Sequence, residues 1–227
     1  MVETQSRRAQ ILASAAELFA RKGVGATTVR EIADSVGVLS GSLYHHFESK
    51  DAIVDEVLGD YLDALRARYA EAVARGTNAA DCVRQLVLAS LEVAEQQPFA
   101  TAIYQNELHY LREQPRFKQV QTAAAAVQKT WLAVIEAGVA NGEFRSDIEP
   151  RVFYRLIRDA LWLSVRWHRP NGDYPTTTLA EDVTSVFLDG YTARRKSACV
   201  EAYMYEYLLR LTLPPVGTVC RDAPTPG

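Results

Sequence analysis

Residues 27–50, TTVREIADSVGVLSGSLYHHFESK, decide the fold. Thr28 and Glu31 have the spacing of a capping box, in which hydroxyl and carboxylate satisfy the first free amides of a helix reciprocally. The short helix opened there runs through Val29, Ile32, Ala33 and Val36 and stops at Gly37. A further helix is expected to start near Ser40 and end by Phe47. Ser49 can then cap a long helix through Ile53, Val57, Leu58, Tyr61, Leu62 and Leu65. Two short helices about a glycine turn have the spacing of a helix-turn-helix. Ala33 lies where those helices approach, and Ile32, Val36, Leu43 and Phe47 lock them by their apolar faces. The second helix is the one that would enter a DNA major groove.

That helix begins with small residues, Ser40, Gly41 and Ser42, which let the backbone come close to a partner. Tyr44, His45 and His46 follow and offer neutral donors to phosphates, and Lys50 adds a positive charge. Thr27 and Thr28 contribute hydroxyls beside exposed helix amides, a further phosphate position. The adjacent histidines are not read as a metal site: neighbours on a helix point about 100° apart, and no cysteine or carboxylate cluster joins them.

Working outward, Ile11, Leu12, Ala15, Leu18 and Phe19 mark a first helix that ends at Gly23. Downstream, residues 79–96, 98–112 and 116–140 each read as one helix. Pro150 suits the first position of another, which carries Phe153, Leu156, Ile157, Leu161 and Val165. Thr178 and Glu181 have capping-box spacing for the next. No run alternates as a strand does, so the chain is expected to be all-α: a helix-turn-helix domain at 1–48, a larger helical domain at 49–192, and an extension at 193–227 holding one more amphipathic segment and a proline-rich end.

At 227 residues the chain can bury a core without disulfides or metal. Cys82, Cys199 and Cys220 are far apart and form no CxxC pair, the pattern of a reducing compartment. With neither a signal peptide nor a membrane-length apolar run, a cytoplasmic location is expected. The net charge is −3, yet residues 1–50 set six cations against five anions, the sign expected of a DNA-facing head on an acidic body. A phosphate-binding glycine loop, an HExxH pair and a serine nucleophile elbow are all missing, which argues against an enzyme.

The run ATTVREIADSVGVLSGSLYHHFESKDAIV (26–54) closely resembles the DNA-binding head of TetR/AcrR-type regulators. Its Thr-x-x-x-Ile-Ala start, Gly37 turn and Leu-Tyr-x-His-Phe-x-x-Lys ending agree together. The resemblance implies a homodimer on double-stranded operator DNA, joined through helices near 150–168 and 177–192, with no membrane partner and no cofactor beyond a small-molecule effector held in the C-terminal domain. By position it places Thr28, Tyr44, His46 and Lys50 on phosphates, and Ser40, Gly41, Ser42 and His45 nearest the bases.

In the second domain, Arg158, Trp162 and Arg166 recur at i, i+4 and i+8, a stripe able to hold an anionic ligand with a flat group. The same helix would also serve a dimer interface, where Trp and Arg are enriched. The stretches VLSGSLYHHF…DEVL and YRLIRDALWLSVRWHRP are similar to an actinobacterial TetR subgroup that represses genes for degrading the last sterol rings. That resemblance implies a CoA thioester of a ring-containing acid as effector, contacted by Arg158 and Trp162 and by Arg166. Its acyl part would lie among Phe99, Ile103, Tyr104, Leu108 and Trp131, of which Tyr104 and Trp131 are carried forward as effector residues. Open beside it stand a TetR-type regulator of efflux or other lipid metabolism with a hydrophobic effector, a DNA-binding protein without effector, and activation in place of repression.

Overall fold

The computed structural model describes residues 2–170 and 172–191. The expected extension at 193–227 lies outside the described residues, as does the side chain of Leu108. All regular elements among the described residues are helical. They are α1 (Val2–Lys22), α2 (Val29–Ser35), α3 (Ser40–Leu43), α4 (Lys50–Arg75), α5 (Ala79–Gln96), α6 (Pro98–Glu113), α7 (Lys118–Ala140), α8 (Pro150–Trp167) and α9 (Thr176–Tyr191), with a single 3₁₀ turn at Pro115–Phe117 before α7.

Local chemistry sets most of the boundaries. The Thr28–Glu31 capping box forms in full, Ser49 accepts from the Ala52 amide at 3.1 Å, and Asn78 accepts from the Asp81 amide at 2.8 Å. Pro98 and Pro150 open α6 and α8, where a missing N–H costs nothing. Gly23 and Gly37 end α1 and α2 with φ of 86° and 69°, a conformation in which a Cβ would be strained.

Two boundaries differ from the sequence expectation. The recognition segment is a helix only over Ser40–Leu43 and continues to Phe47 as tight turns, with His46 N bonded to Leu43 O and Phe47 N to the same carbonyl. Leu43 and Phe47 are both buried there, and their anchoring sets the path. Helix α9 starts at Thr176, so Thr178 lies inside its first turn and Glu181 beyond it. A tertiary contact moves that start: the Thr176 hydroxyl donates to Glu95 on α5 at 2.7 Å and lies 3.2 Å from His168 Nε2.

In the head, Ile11, Ala15, Phe19, Ile32, Ala33, Leu43 and Phe47 are buried together. Helix α4 carries this core into the body, burying Ile53, Val54, Leu58 and Leu62 almost completely and packing chiefly on α5 and α7. Helix α8 is strongly two-faced. Phe153, Tyr154, Ile157 and Leu161 point inward. Val152, Leu156, Leu163 and Trp167 stay exposed and fall within about 60° of one another around the helix axis.

Candidate nucleic-acid interface and effector cavity

The residues expected to face DNA lie at the start of α2, on α3 and in the turn into α4. Tyr44 is 55% exposed. Thr27 is buried and donates its hydroxyl to Gly23 O at 2.9 Å, so it does not reach the surface. Thr28, Gly41 and His45 are exposed, and Ser40, Ser42, His46 and Lys50 are half-buried. Two of them already serve the fold. Lys50 Nζ donates to Val24 O at 2.6 Å and Thr27 O at 2.8 Å, holding the α1–α2 turn and leaving one N–H for an outside acceptor. The Thr28 hydroxyl donates to Glu31 Oε2 at 2.9 Å while accepting from the Glu31 amide at 3.2 Å. The Lys22 ammonium beside Glu31, with Thr28, lowers that carboxyl from an ordinary 4.5 to about 2.

Arg8 holds the recognition segment from behind. Its guanidinium pairs with Glu56 of α4, donates to His46 O, and lies 4.1 Å over the Phe47 ring. In the sequence Arg7 and Arg8 read as a solvated helix start in preference to a minor-groove arm; nothing local announces partners of Arg8 that are 38 and 48 residues away.

Four of the five residues expected to hold an effector converge. Tyr104, Trp131, Arg158 and Trp162 line a small cavity of about 40 Å³ together with Tyr61, Tyr69 and Tyr154. Its rings interlock: Tyr104 meets Trp162 edge-on at 5.4 Å, Tyr61 lies 5.7 Å from Tyr104, and Trp131 lies 6.0 Å from Tyr69 and 6.1 Å from Tyr154. Burial raises all four phenols, Tyr104 to about 12, so each remains a neutral donor at physiological pH. Tyr69 already shares a 2.6 Å hydrogen bond with Ser90.

Arg158 forms the rim. Its side chain is 19% exposed, pairs with Asp159 at 2.7 Å, and stands 4.7 Å over the Trp162 ring. On its outer side a chamber of about 280 Å³ shares Tyr104, Tyr154, Arg158 and Trp162 and adds Arg112, Arg155, Gln121 and Gln128. An aromatic inner chamber thus adjoins a basic outer one.

Arg166 lines neither chamber. It donates to Asn106 of α6 at 3.2 Å. At about 100° per residue a position eight further on is turned about 80° from Arg158, whereas Tyr154, Trp162 and Val165 all stay within about 40°. The cavity-facing stripe is therefore Tyr154–Arg158–Leu161–Trp162–Val165. Sequence reasoning missed Tyr61, Tyr69, Tyr154, Arg112 and Arg155. Helical spacing from Arg158 could have found Tyr154 and Arg155, but not Arg112 on another helix. Phe99 and Ile103 line neither chamber. A larger groove of about 1100 Å³ between α4 and α7, with Arg66, Ala70, Lys129 and Ala133, contains none of the expected residues. It shares no residue with the aromatic cavity.

Helix α6 joins this cavity to the head. Tyr104 faces the inner chamber, Asn106 receives Arg166 from α8, and Glu107 accepts from the Val24 amide at 2.9 Å in the α1–α2 turn. A second tie, Arg116 to Asp51 at 3.2 Å, joins the segment after α6 to the start of α4.

Residues 11–57 match the model for bacterial regulatory proteins of the tetR family, and residues 76–191 match a tetracyclin repressor-like C-terminal domain. The chain is 45% identical over 184 residues to the HTH-type transcriptional repressor KstR2 of Rhodococcus jostii (strain RHA1), covering 81% of this chain and 90% of that one. The repressor of the same name from Mycobacterium tuberculosis (strain ATCC 25618 / H37Rv) is 42% identical over 190 residues, 84% of this chain and 95% of its own. Among solved structures, the ketosteroid transcriptional regulator KstR2 of Mycobacterium tuberculosis superposes with a TM-score of 0.75 at 42% identity, covering 82% of this chain and 95% of that one.

Proposed function

This chain belongs to the TetR family of bacterial regulatory proteins, and from that premise we propose that it represses genes of sterol-ring breakdown, binding operator DNA as a homodimer until a CoA thioester of a ring-containing acid releases it. It is a regulator and not an enzyme, as its relatives are named repressors. The sterol assignment leans on the relative described as a ketosteroid regulator.

One observation carries the effector reading: Arg158 and Trp162 stand between an aromatic chamber and a basic one. The rings of the inner chamber suit an apolar ring system. Arg112, Arg155 and Arg158 suit the phosphates of a nucleotide-bearing thioester, since guanidinium groups match phosphate oxygens two at a time. The inner chamber, about 40 Å³, is far below the roughly 300–1,000 Å³ of ligand pockets. Binding therefore has to spread α4, α6 and α8. Because α6 holds the α1–α2 turn through Glu107, that spreading alters the separation of the two heads, which must match major grooves roughly 34 Å apart. A ligand that prefers the spread state shifts the population away from the DNA-bound one.

On the DNA, Tyr44, His46, Thr28 and the remaining Lys50 proton contact phosphates, and Ser40, Gly41, Ser42 and His45 face the bases. The homodimer uses the exposed stripe of α8 with Val186 of α9.

The test is release of the chain from its own upstream DNA by CoA thioesters of ring acids and by the matching free acids. Only the thioesters are expected to release it. Arg158→Met is expected to raise the thioester concentration needed by about tenfold or more, the worth of a charge-assisted hydrogen bond, while dimerisation and DNA affinity stay unchanged. Release by free acids as readily as by thioesters would replace this effector with a hydrophobic non-CoA one. A monomeric Arg158→Met would assign Arg158 to the interface.

A further inference from the structure

Leu39 supplies no capping side chain to the helix it precedes, as is also true of Gln97, Phe117 and Glu149 before α6, α7 and α8. It occupies the position just before α3, with extended backbone (φ −72°, ψ 143°) and no side-chain capping bond. Thr28, Ser49 and Asn78 hold the same position before α2, α4 and α5, and each accepts a hydrogen bond from a helix amide. Leucine there forgoes that bond. Its side chain is also 80% exposed, the most exposed large hydrophobic group among the described residues. Val38, beside it, packs against the core, and Leu39 does not. That exposure returns nothing to the folded chain, and it falls directly before the recognition segment.

The surroundings define the kind of partner. Within the described part of the head, the only other exposed large hydrophobic residue is Tyr44, so Leu39 belongs to no apolar patch of the sort that docks a protein. The three residues after it, Ser40, Gly41 and Ser42, carry nothing longer than a hydroxymethyl group, which leaves the leucine standing above them. A lone aliphatic group on a polar surface fits a partner that is itself polar with isolated methyl groups. The DNA major groove is such a surface, because each thymine places a 5-methyl group there.

We propose that Leu39 packs on the 5-methyl group of a thymine in each operator half-site and so fixes one base of the recognised sequence. This rests on the DNA-binding reading above. It adds a base contact made by an apolar side chain outside the helix itself.

The experiment uses the full chain and a duplex of its own upstream DNA at fixed salt, with thymines replaced one at a time by deoxyuridine, which removes only the methyl group. Wild type is expected to lose about threefold to fivefold in affinity at one symmetry-related pair of positions, the worth of one buried methyl-sized contact. Leu39→Ala is expected to lose a similar factor on the thymine duplex and nothing further on the deoxyuridine one. Leu39→Ser serves as the control for folding: its hydroxyl restores the missing cap, so its melting temperature should hold or rise while its operator affinity falls as for Leu39→Ala. Variants that bind the thymine duplex as tightly as wild type overturn the proposal. So does a deoxyuridine effect that is equal in wild type and Leu39→Ala at every position. A wild-type chain that binds no upstream duplex at all defeats the DNA-binding reading, and the Leu39 contact falls with it.

Discussion

Thr28 and Glu31 illustrate how one residue pair serves the fold and the surface together. The pair closes the first turn of α2, and Lys22 lies 2.7 Å from the same carboxylate. The sign of the resulting pH dependence is fixed. A carboxyl whose folded pKa lies below its unfolded value binds fewer protons when folded, so its contribution is complete above about 4.5 and is lost as pH falls toward about 2. Glu31→Gln keeps an acceptor for the Thr28 amide but does not titrate. Wild type is therefore expected to melt above Glu31→Gln near neutral pH, and the gap to close on acidification through that window. Thermal melts of both chains across that range check it. A gap that stays constant with pH would remove the ionised carboxylate from the account.

At the scale of elements, α6 is the connecting rod. Three of its residues face three different neighbours: Tyr104 the cavity, Asn106 the Arg166 of α8, and Glu107 the amide of Val24. A helix is stiff over so short a span, so movement at Tyr104 is expected to reach Glu107 one turn away. Glu107→Ala removes that link without touching either ligand. Effector affinity measured on the free chain should stay as in wild type, while the effector concentration that releases DNA rises, because coupling between the sites is what the link supplies. If release and free-chain affinity move together, α6 is not the route. Helix α8 shows a related division: its inner face makes the cavity, and its outer face carries Val152, Leu156, Leu163 and Trp167.

For the whole molecule, that outer face is where we propose that two copies meet. Four large apolar residues on α8 and Val186 on α9 are exposed in the single chain. An apolar stripe of this kind is stabilised by burial against a second copy, through about 25 cal/mol per Å² of apolar surface removed from water. A carboxylate at its centre would be buried without a partner. Leu156→Glu combined with Leu163→Glu is therefore expected to convert a dimer into a monomer in analytical ultracentrifugation, with helical content kept and operator affinity falling steeply. A double variant that still sediments as a dimer would place the interface elsewhere.

The sequence by itself determined the head and the class of fold. Those signals are local: a capping box, a glycine with positive φ, and apolar residues at helical spacing act within a few residues of one another, and the resemblance of residues 26–54 uses the same short-range information. It also singled out Arg158, Trp162, Tyr104 and Trp131, which do meet at one cavity. Only the tertiary structure decided which groups share that site and which are already engaged. Arg112 joins it from α6, and Tyr61 and Tyr69 from α4. Arg166 leaves it, because eight residues do not complete a whole number of turns. Lys50 is bound to carbonyls more than 20 residues away. Periodicity gives the face of a helix to within some tens of degrees, whereas the closing of a cavity or an ion pair depends on where several helices come to rest.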